Sequence, residues 1–258
     1  MLLDTFSLKN RTVLLTGAAG LFGRGLATAL AESGATLILA SRDAGKIDTV
    51  AREETARGHS VFAESFDQGD ETSIAGLRSR IEARFGVIHG LVNNSVLRPM
   101  KGAHGTVAQW EQSMRVNATG VMLMHRILGE AMAAAGRGSI VNIGSIQGMV
   151  GPSYELYEGT SMGDMPPDYF FHKGGMLNLT RFYAAHFGPR SVRVNCLSPG
   201  GFYNQQDERF VKRYCAHTML NRMADSADLG GSVVFLLSDA SRYITGANLP
   251  VDGGYSAK

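Results

Sequence analysis

Short apolar runs alternate with longer segments of helical periodicity along most of the chain. The runs predict seven strands, over residues 11–16, 36–40, 60–66, 87–92, 139–143, 192–197 and 248–254, the last of which ends in a turn. Apolar positions three or four residues apart predict helices over residues 26–31, 43–58, 71–85, 107–135, 168–187 and 228–237, and residues 202–223 predict an irregular segment. Strands that alternate with helices imply a parallel sheet with right-handed crossovers. We predict an α/β fold, a doubly wound parallel sheet of about seven strands with helices on both faces, in one domain covering residues 1–258.

A glycine-rich turn separates the first strand from the first helix, with glycines at 17, 20 and 23 and Gly34 as the C-cap of that helix. Strand, glycine turn and helix in this order are typical of a dinucleotide site in a Rossmann fold, because the glycines let the backbone approach a pyrophosphate and the helix N-terminus presents free N–H groups. The alternative, an ordinary tight turn, is less favoured in this context.

The end of the second strand bears on cofactor choice. Ser41 and Arg42 follow the strand where the adenosine ribose is expected, and a guanidinium suits a 2′-phosphate. This favours NADP over NAD. Arg42 stacked on adenine or facing solvent is the alternative, and Asp43 on a ribose hydroxyl would favour NAD.

Tyr169 and Lys173 are spaced by one helical turn, so their side chains share a helix face. A nearby ammonium lowers the pKa of a phenol. The pair can therefore exchange a proton with a substrate hydroxyl or carbonyl at neutral pH.

Composition narrows the function classes. The chain has 258 residues with a formal net charge of +2, which gives no reason to expect nucleic acid as a partner. Two cysteines without metal-ligand spacing indicate reduced thiols and no metal site. No basic N-terminal region precedes a long apolar run, and no apolar stretch approaches the length of a membrane span, so a cytoplasmic protein is expected.

The motifs together resemble one family. Thr16-Gly17…Gly23, Asp67, Asn93-Asn94, Asn117, Ser145, Tyr169…Lys173, Pro199-Gly200 and the closing Val251-Asp252-Gly253-Gly254 occur in the order of the classical short-chain dehydrogenases/reductases. Within that family the chain resembles gluconate-5-dehydrogenase-like enzymes and members that act in sugar biosynthesis for bacterial surface polysaccharides.

The resemblance implies a role for each matching residue. Tyr169 is the expected acid/base, Lys173 its partner, Ser145 the hydrogen-bond donor to the substrate oxygen, and Asn117 the holder of a water in a proton relay. Cofactor contacts are expected from Gly17, Gly20, Leu21, Phe22, Gly23, Ser41, Arg42, Asp67 at the adenine, Gln68, Asn93 at the adenosine ribose, Ser95, Pro199, Gly200 and Phe202. Asn93 is also expected to stabilise the centre of the sheet. A homo-oligomer, dimer or tetramer, is also implied.

Three positions depart from the family pattern. Leu21 stands where the middle glycine is usual, Ser95-Val96 replaces Ala-Gly, and Asn204 replaces a threonine. These departures concern the geometry of the cofactor loops, and binding itself is still expected.

An insertion near residues 149–168 separates Ser145 from Tyr169 and must leave and re-enter at the substrate cleft. Its hydroxyls, carboxylates and aromatic rings suit a polyol or sugar. A solvated loop or a subunit contact is an equally open alternative. Substrate contacts are expected from Gln147, Tyr154, Tyr157, Tyr203 and Asn204.

The sequence therefore predicts an NAD(P)-dependent oxidoreductase that interconverts a secondary alcohol and a ketone on a small polar substrate, a sugar or sugar acid. One alternative is a ketoreductase acting on a hydrophobic ketone or 3-oxoacyl substrate. Another is a non-catalytic NADP-binding regulator, against which the presence of all four catalytic residues argues.

Overall fold

Seven strands form one parallel sheet in the structure, a computed structural model that describes residues 1–257. They are β1 (Thr12–Thr16), β2 (Thr36–Ser41), β3 (Val61–Ser65), β4 (Gly90–Asn93), β5 (Gly138–Ile143), β6 (Val192–Pro199) and β7 (Asn248–Val251). Their order is β3-β2-β1-β4-β5-β6-β7, with every neighbouring pair parallel. The predicted Rossmann fold is confirmed. The order reverses between β1 and β4, which is where open parallel sheets bind ligands.

Helices cover both faces of the sheet. They are α1 (Leu21–Glu32), α2 (Ala44–Ala56), α3 (Glu71–Phe85), α4 (Val107–Met114), α5 (Gly120–Met124), α6 (Glu130–Ala134), α7 (Pro167–Phe187), α8 (Glu208–His217) and α9 (Gly230–Leu237). Helices α1, α2 and α9 pack on one face, and α3, α5, α6 and α7 pack on the other.

The two cores follow from strand alternation, because successive side chains point to opposite faces of a sheet. On β1, Val13 and Leu15 enter one core while Leu14 enters the other, and all three are fully buried. Burial of each such side chain stabilises the fold by about 1.5–3 kcal/mol. This is why continuous apolar runs, and not alternating ones, mark these strands.

Three predicted elements differ from the structure. The fourth strand begins at Gly90, later than predicted, although the His89 backbone already donates to the Thr12 carbonyl at 2.8 Å and accepts the Ser139 N–H at 3.0 Å. The long helix predicted over 107–135 is interrupted by π-helical turns at Arg115–Thr119 and His125–Gly129. The irregular segment predicted over 202–223 contains α8.

Helix α8 could have been found from its start and its apolar spacing. The Asp207 carboxylate accepts the Arg209 N–H at 2.9 Å as an N-cap, and Phe210 and Tyr214 lie four residues apart on the buried face. The many charged residues around them obscured this signal.

No helix within residues 1–257 has the length and apolar character needed to cross a membrane. Over the same residues, no cluster of three or more His, Cys, Asp or Glu side chains is placed to hold a metal ion. Cys196 and Cys215 are both free thiols.

Candidate active site

A cleft of about 680 Å³ opens at the carboxyl ends of the strands, and it is large enough for a dinucleotide with a small substrate. The predicted site residues that line it are Gly17, Gly20, Leu21, Phe22, Gly23, Ser41, Arg42, Asp67, Gln68, Ser95, Ser145, Gln147, Tyr157, Tyr169, Lys173, Pro199, Gly200, Phe202 and Asn204. Residues scattered over most of the chain therefore meet in one place.

The phosphate loop needs its first glycine for two reasons. Gly17 has φ +67°, a left-handed conformation that side chains disfavour, and a Cβ there would lie 2.9 Å from the Ser95 Cα. Gly20 then serves as the N-cap of α1, so the first N–H groups of the helix, starting at Leu21, lie at the edge of the cleft. Leu21 itself is 53% exposed, so the side chain that replaces the usual glycine points away from the core.

The loop after β4 is tied to the phosphate loop by hydrogen bonds. The Thr16 hydroxyl accepts the N–H groups of Asn94 and Ser95, each at 3.0 Å. The Asn94 amide donates to the carbonyls of Thr16 and Gly17, also at 3.0 Å. These bonds hold the two loops together although Ser95 and Val96 replace the usual Ala-Gly.

At the adenosine end, the structure separates Arg42 from Asp43. Ser41 and Arg42 line the cleft. Asp43 instead caps α2, accepting the Lys46 N–H at 3.1 Å and pairing with the Lys46 ammonium at 3.0 Å. The Asp43 carboxylate is engaged with the helix, which leaves Arg42 as the cation and Asp67 as the carboxylate that line this end of the cleft.

The adenine end contains an unused acceptor. Gln68 Nε2 donates to the Val116 carbonyl at 3.0 Å, while its Oε1 is buried without a hydrogen-bond partner. A buried acceptor without a partner is costly. An adenine amino group would satisfy it, so this end of the cleft fits a dinucleotide.

Tyr169, Ser145 and Lys173 meet at the centre of the cleft. Burial raises the pKa of the Tyr169 phenol. The charges of Lys173 and Arg98, with the nearby Ser145 hydroxyl, outweigh burial, so the pKa is lowered from its ordinary value near 10.0. Lys173 is buried and its ammonium donates to the Ile143 carbonyl at 2.5 Å. Burial lowers the pKa of Lys173, opposed by the neighbouring phenolate.

Sequence reasoning missed Arg98. Its guanidinium carbon lies 4.5 Å from the centre of the Tyr169 ring, closer than the Lys173 ammonium at 5.8 Å. Arg98 lines the cleft and, among residues 1–257, forms no ion pair with a carboxylate. An arginine four residues after the Asn93-Asn94 pair carries no local signal that reveals this contact.

Two predicted site residues are buried beside the cleft and do not line it. Asn93 donates to the Asn142 amide oxygen at 2.8 Å, in the predicted position at the centre of the sheet. Its contact with the adenosine ribose stays a prediction. Asn117 donates to the Leu97 carbonyl and the Ser113 hydroxyl and accepts the Leu97 N–H at 2.9 Å. Because both N–H groups of Asn117 are engaged with protein atoms, its part in a water relay stays a prediction.

The insertion lies against α8 and forms one wall of the substrate end. Arg213 of α8 donates to the carbonyls of Glu155 at 3.0 Å and Glu158 at 2.6 Å. The insertion buries Leu156 and Met165 and exposes Glu155, Glu158 and Asp164, whereas Asp168 at its end is buried. The polar side chains of residues 149–168 therefore lie mainly on the solvent-facing side of the insertion, not on the side that faces the cleft.

Two predicted substrate contacts, Tyr154 and Tyr203, are not among the residues that line the cleft, and their side chains are 56% and 52% exposed. The wall is instead built from residues that sequence reasoning did not select: Met162, Gln206, Phe210, Tyr214 and Met223. Across the phosphate end, the rings of Phe22 and Phe202 meet edge to face at 4.9 Å.

Comparison with known proteins fits this geometry. A family model described as enoyl-(acyl carrier protein) reductase matches residues 17–256. The chain is a short-chain dehydrogenase/reductase. The Tyr169–Lys173 pair, the glycine loop and the parallel sheet are thus those of a family of NAD(P)-dependent oxidoreductases, and the protein is an enzyme of this class.

Similar dehydrogenases span the whole chain. A cis-4-hydroxycyclohexanecarboxylate dehydrogenase of Sinomonas cyclohexanicum is 34% identical, over 96% of this chain and 97% of the relative. A gluconate 5-dehydrogenase of Gluconobacter oxydans is 31% identical over 97% and 96%. The solved structure of a gluconate 5-dehydrogenase from Burkholderia cenocepacia, in complex with NADP and tartrate, has a TM-score of 0.90 at 29% identity and covers all of both chains.

Proposed function

We propose that this short-chain dehydrogenase/reductase interconverts a secondary alcohol and a ketone on a small polar substrate, a sugar or sugar acid, with NADP as the preferred cofactor. The observation that carries the proposal is the Tyr169 phenol. It is half-buried, lines the cleft together with Ser145, and has a lowered pKa beside the cations Lys173 and Arg98. Such a phenol can take or give a proton near neutral pH.

The roles of the residues follow from their positions. A bound nicotinamide supplies or accepts the hydride. Tyr169 transfers the proton at the substrate oxygen, and the Ser145 hydroxyl is a second donor to the oxygen on which charge develops. Lys173 favours the ionised phenol, and its hydrogen bond to Ile143 fixes the ammonium beneath the site. Asn117 fixes the Leu97 segment beside Tyr169.

Replacing the phenol tests this assignment. Tyr169→Phe removes the proton donor, and we expect turnover to fall by at least about 100-fold, the usual size of a general acid–base contribution. NADPH binding, followed by fluorescence, should remain. Tyr183→Phe is the matched control, since Tyr183 is on the same helix and its hydroxyl contacts only the Met122 carbonyl, at 3.4 Å. Near wild-type turnover in Tyr169→Phe contradicts the mechanism.

Cofactor preference is attributed to Arg42, because Asp43 is engaged in capping α2. Wild-type protein should bind NADPH more tightly than NADH. In Arg42→Ser, NADPH affinity should fall by roughly 10-fold or more, the value of a charged hydrogen bond, with NADH affinity unchanged. The exposed Arg52 on α2 supplies the control variant Arg52→Ser. Tighter binding of NADH by the wild type would show that Arg42 does not read the ribose.

One observation favours a second candidate function. Met162, Phe210 and Met223 give the substrate end an apolar wall, which suits a ketoreductase of a hydrophobic ketone or 3-oxoacyl substrate. Turnover of an acetoacetyl thioester, with no turnover of sugars or sugar acids, would show that the protein is such a ketoreductase.

We also propose a cytoplasmic homo-oligomer. Phe171 and Phe182 on α7 are 62% and 61% exposed, and the Trp110 ring of α4 lies 5.3 Å from Phe171. Exposed aromatic residues on neighbouring helices are typical of a subunit interface. Light scattering would give the mass in solution, and cell fractionation the location.

A further inference from the structure

The substrate end of the cleft has an excess of positive charge. The lining of the whole cleft, cofactor end and substrate end together, contains three cations, Arg42, Arg98 and Lys173, and one carboxylate, Asp67. Arg42 and Asp67 belong to the adenosine end, and Lys173 donates to the Ile143 carbonyl. Arg98 is therefore the cation that remains for a substrate.

The segment that carries Arg98 is fixed on both sides. The Asn117 side chain pairs with both backbone groups of Leu97, at 2.9 Å and 2.7 Å. Gln109, which also closes the capping box of α4, donates to the Pro99 carbonyl at 3.3 Å. Two side-chain amides thus hold the neighbours of Arg98, which limits the positions open to the guanidinium.

The guanidinium faces the reacting group. Its central carbon lies 4.5 Å from the centre of the Tyr169 ring, so the guanidinium is stacked on the phenol. A guanidinium has five N–H donors in a fork that matches a carboxylate. Since one contact is made to Tyr169, donors remain for an anion bound within a few bonds of the reacting carbon.

Other side chains that line the cleft supply apolar surface. They are Tyr157, Met162 and Phe210, and Tyr157 packs on Phe210 with ring centres 5.0 Å apart. Helix α8 and the insertion form this wall together, held by the bonds from Arg213. The wall gives a carbon skeleton a surface to pack against.

We infer that Arg98 is a specificity-determining residue that binds the carboxylate of a hydroxy acid, while the carbon skeleton of that acid packs against Tyr157, Met162 and Phe210. This inference rests on the proposed function and narrows its substrate class from polar alcohols to anionic ones. It also assigns the apolar wall a role that a polyol alone would leave unused.

Paired substrates test the inference. D-gluconate is compared with D-glucitol, and cis-4-hydroxycyclohexanecarboxylate with its neutral amide, by kcat/KM of the full-length enzyme with NADP. The wild type should prefer the carboxylate of at least one pair by roughly 10-fold or more. Arg98→Met should lose roughly 10- to 100-fold on that carboxylate, mainly in KM, with much smaller losses on its neutral partner. Arg98→Lys, which keeps the charge, should recover part of the loss.

The control is another arginine stacked on an aromatic ring. The Arg84 guanidinium lies 4.2 Å from the Phe62 ring centre, outside the cleft lining, so Arg84→Met should change neither substrate. Equal losses of Arg98→Met on charged and neutral substrates would overturn the inference and show that Arg98 only positions Tyr169.

Binding separates this inference from the proposed function. In Tyr169→Phe protein saturated with NADP, the affinities of the same four compounds are measured by calorimetry, without turnover. Tighter binding of a carboxylate, lost in the Tyr169→Phe/Arg98→Met double variant, supports the Arg98 site even if the proposed reaction fails. No preference for either carboxylate overturns the Arg98 site, whatever the wild-type enzyme turns over.

Discussion

His125 should make the protein sensitive to mild acid. Its side chain is fully buried beneath the active-site edge of the sheet, stacked on Tyr183 with ring centres 4.3 Å apart. One ring nitrogen contacts the Val121 carbonyl at 2.8 Å, and the other contacts the Asn142 amide at 3.3 Å. The Asn142 amide donates, so the facing nitrogen is the acceptor and the ring is neutral. Protonation would remove that acceptor and place a charge in the core.

The magnitude follows from the shift in pKa. Burial lowers the pKa of His125 from 6.5 to about 4, opposed by the hydrogen bond to Val121. The unfolded chain therefore binds a proton before the folded chain does, and stability is lost as the pH falls from about 6.5 to about 4. One pKa unit corresponds to about 1.4 kcal/mol, so the loss is about 2 kcal/mol at pH 5 and about 3 kcal/mol at pH 4.

Urea unfolding at pH 7.5, 6, 5 and 4.5 measures this loss, at fixed protein concentration. His125→Gln replaces the ring with an amide that does not titrate, so its free energy of unfolding should fall less over this range, by about 2 kcal/mol at pH 5. His172 is also buried, and burial and the charges of Lys173 and Arg98 lower its pKa to about 3. Because both proteins contain His172, its contribution cancels when the stability of His125→Gln is compared with that of the wild type. Parallel stability curves, or an NMR titration of the His125 ring near pH 6.5, would refute the reasoning.

Two further predictions concern the cofactor loop and the assembly. Gly17→Ala should weaken NADPH binding at least about 10-fold and lower the free energy of unfolding by about 1–3 kcal/mol. The control Gly58→Ala, at φ +90° with no atom within 4 Å of the new Cβ, should show only the cost of the left-handed backbone. Wild-type NADPH binding by Gly17→Ala would contradict the argument that a Cβ at residue 17 crowds the cofactor loop. Phe182→Glu should reduce the mass of the homo-oligomer measured by light scattering. The control Tyr243→Glu, which changes another exposed ring, should not. An unchanged mass in Phe182→Glu would show that α7 is not part of the subunit interface.

The substrate wall shows where composition was misleading. The insertion over 149–168 is rich in hydroxyls and carboxylates, yet its cleft side is Tyr157 and Met162. Composition reports what a segment contains, whereas its orientation depends on what it packs against. Here α8 supplies the apolar partner, and α8 was itself hidden by its charged residues.

The sequence by itself determined the parallel sheet, the dinucleotide loop and the Tyr169–Lys173 pair. These depend on local rules: apolar runs that form buried strands, glycine at a left-handed turn, and i to i+4 spacing on one helix face. Only the tertiary structure decided that Arg98 stacks on Tyr169 and that Asp43 caps a helix. Tyr169 and Arg98 are 71 positions apart in the chain, and whether such side chains meet depends on the packing of whole elements, which no local pattern records.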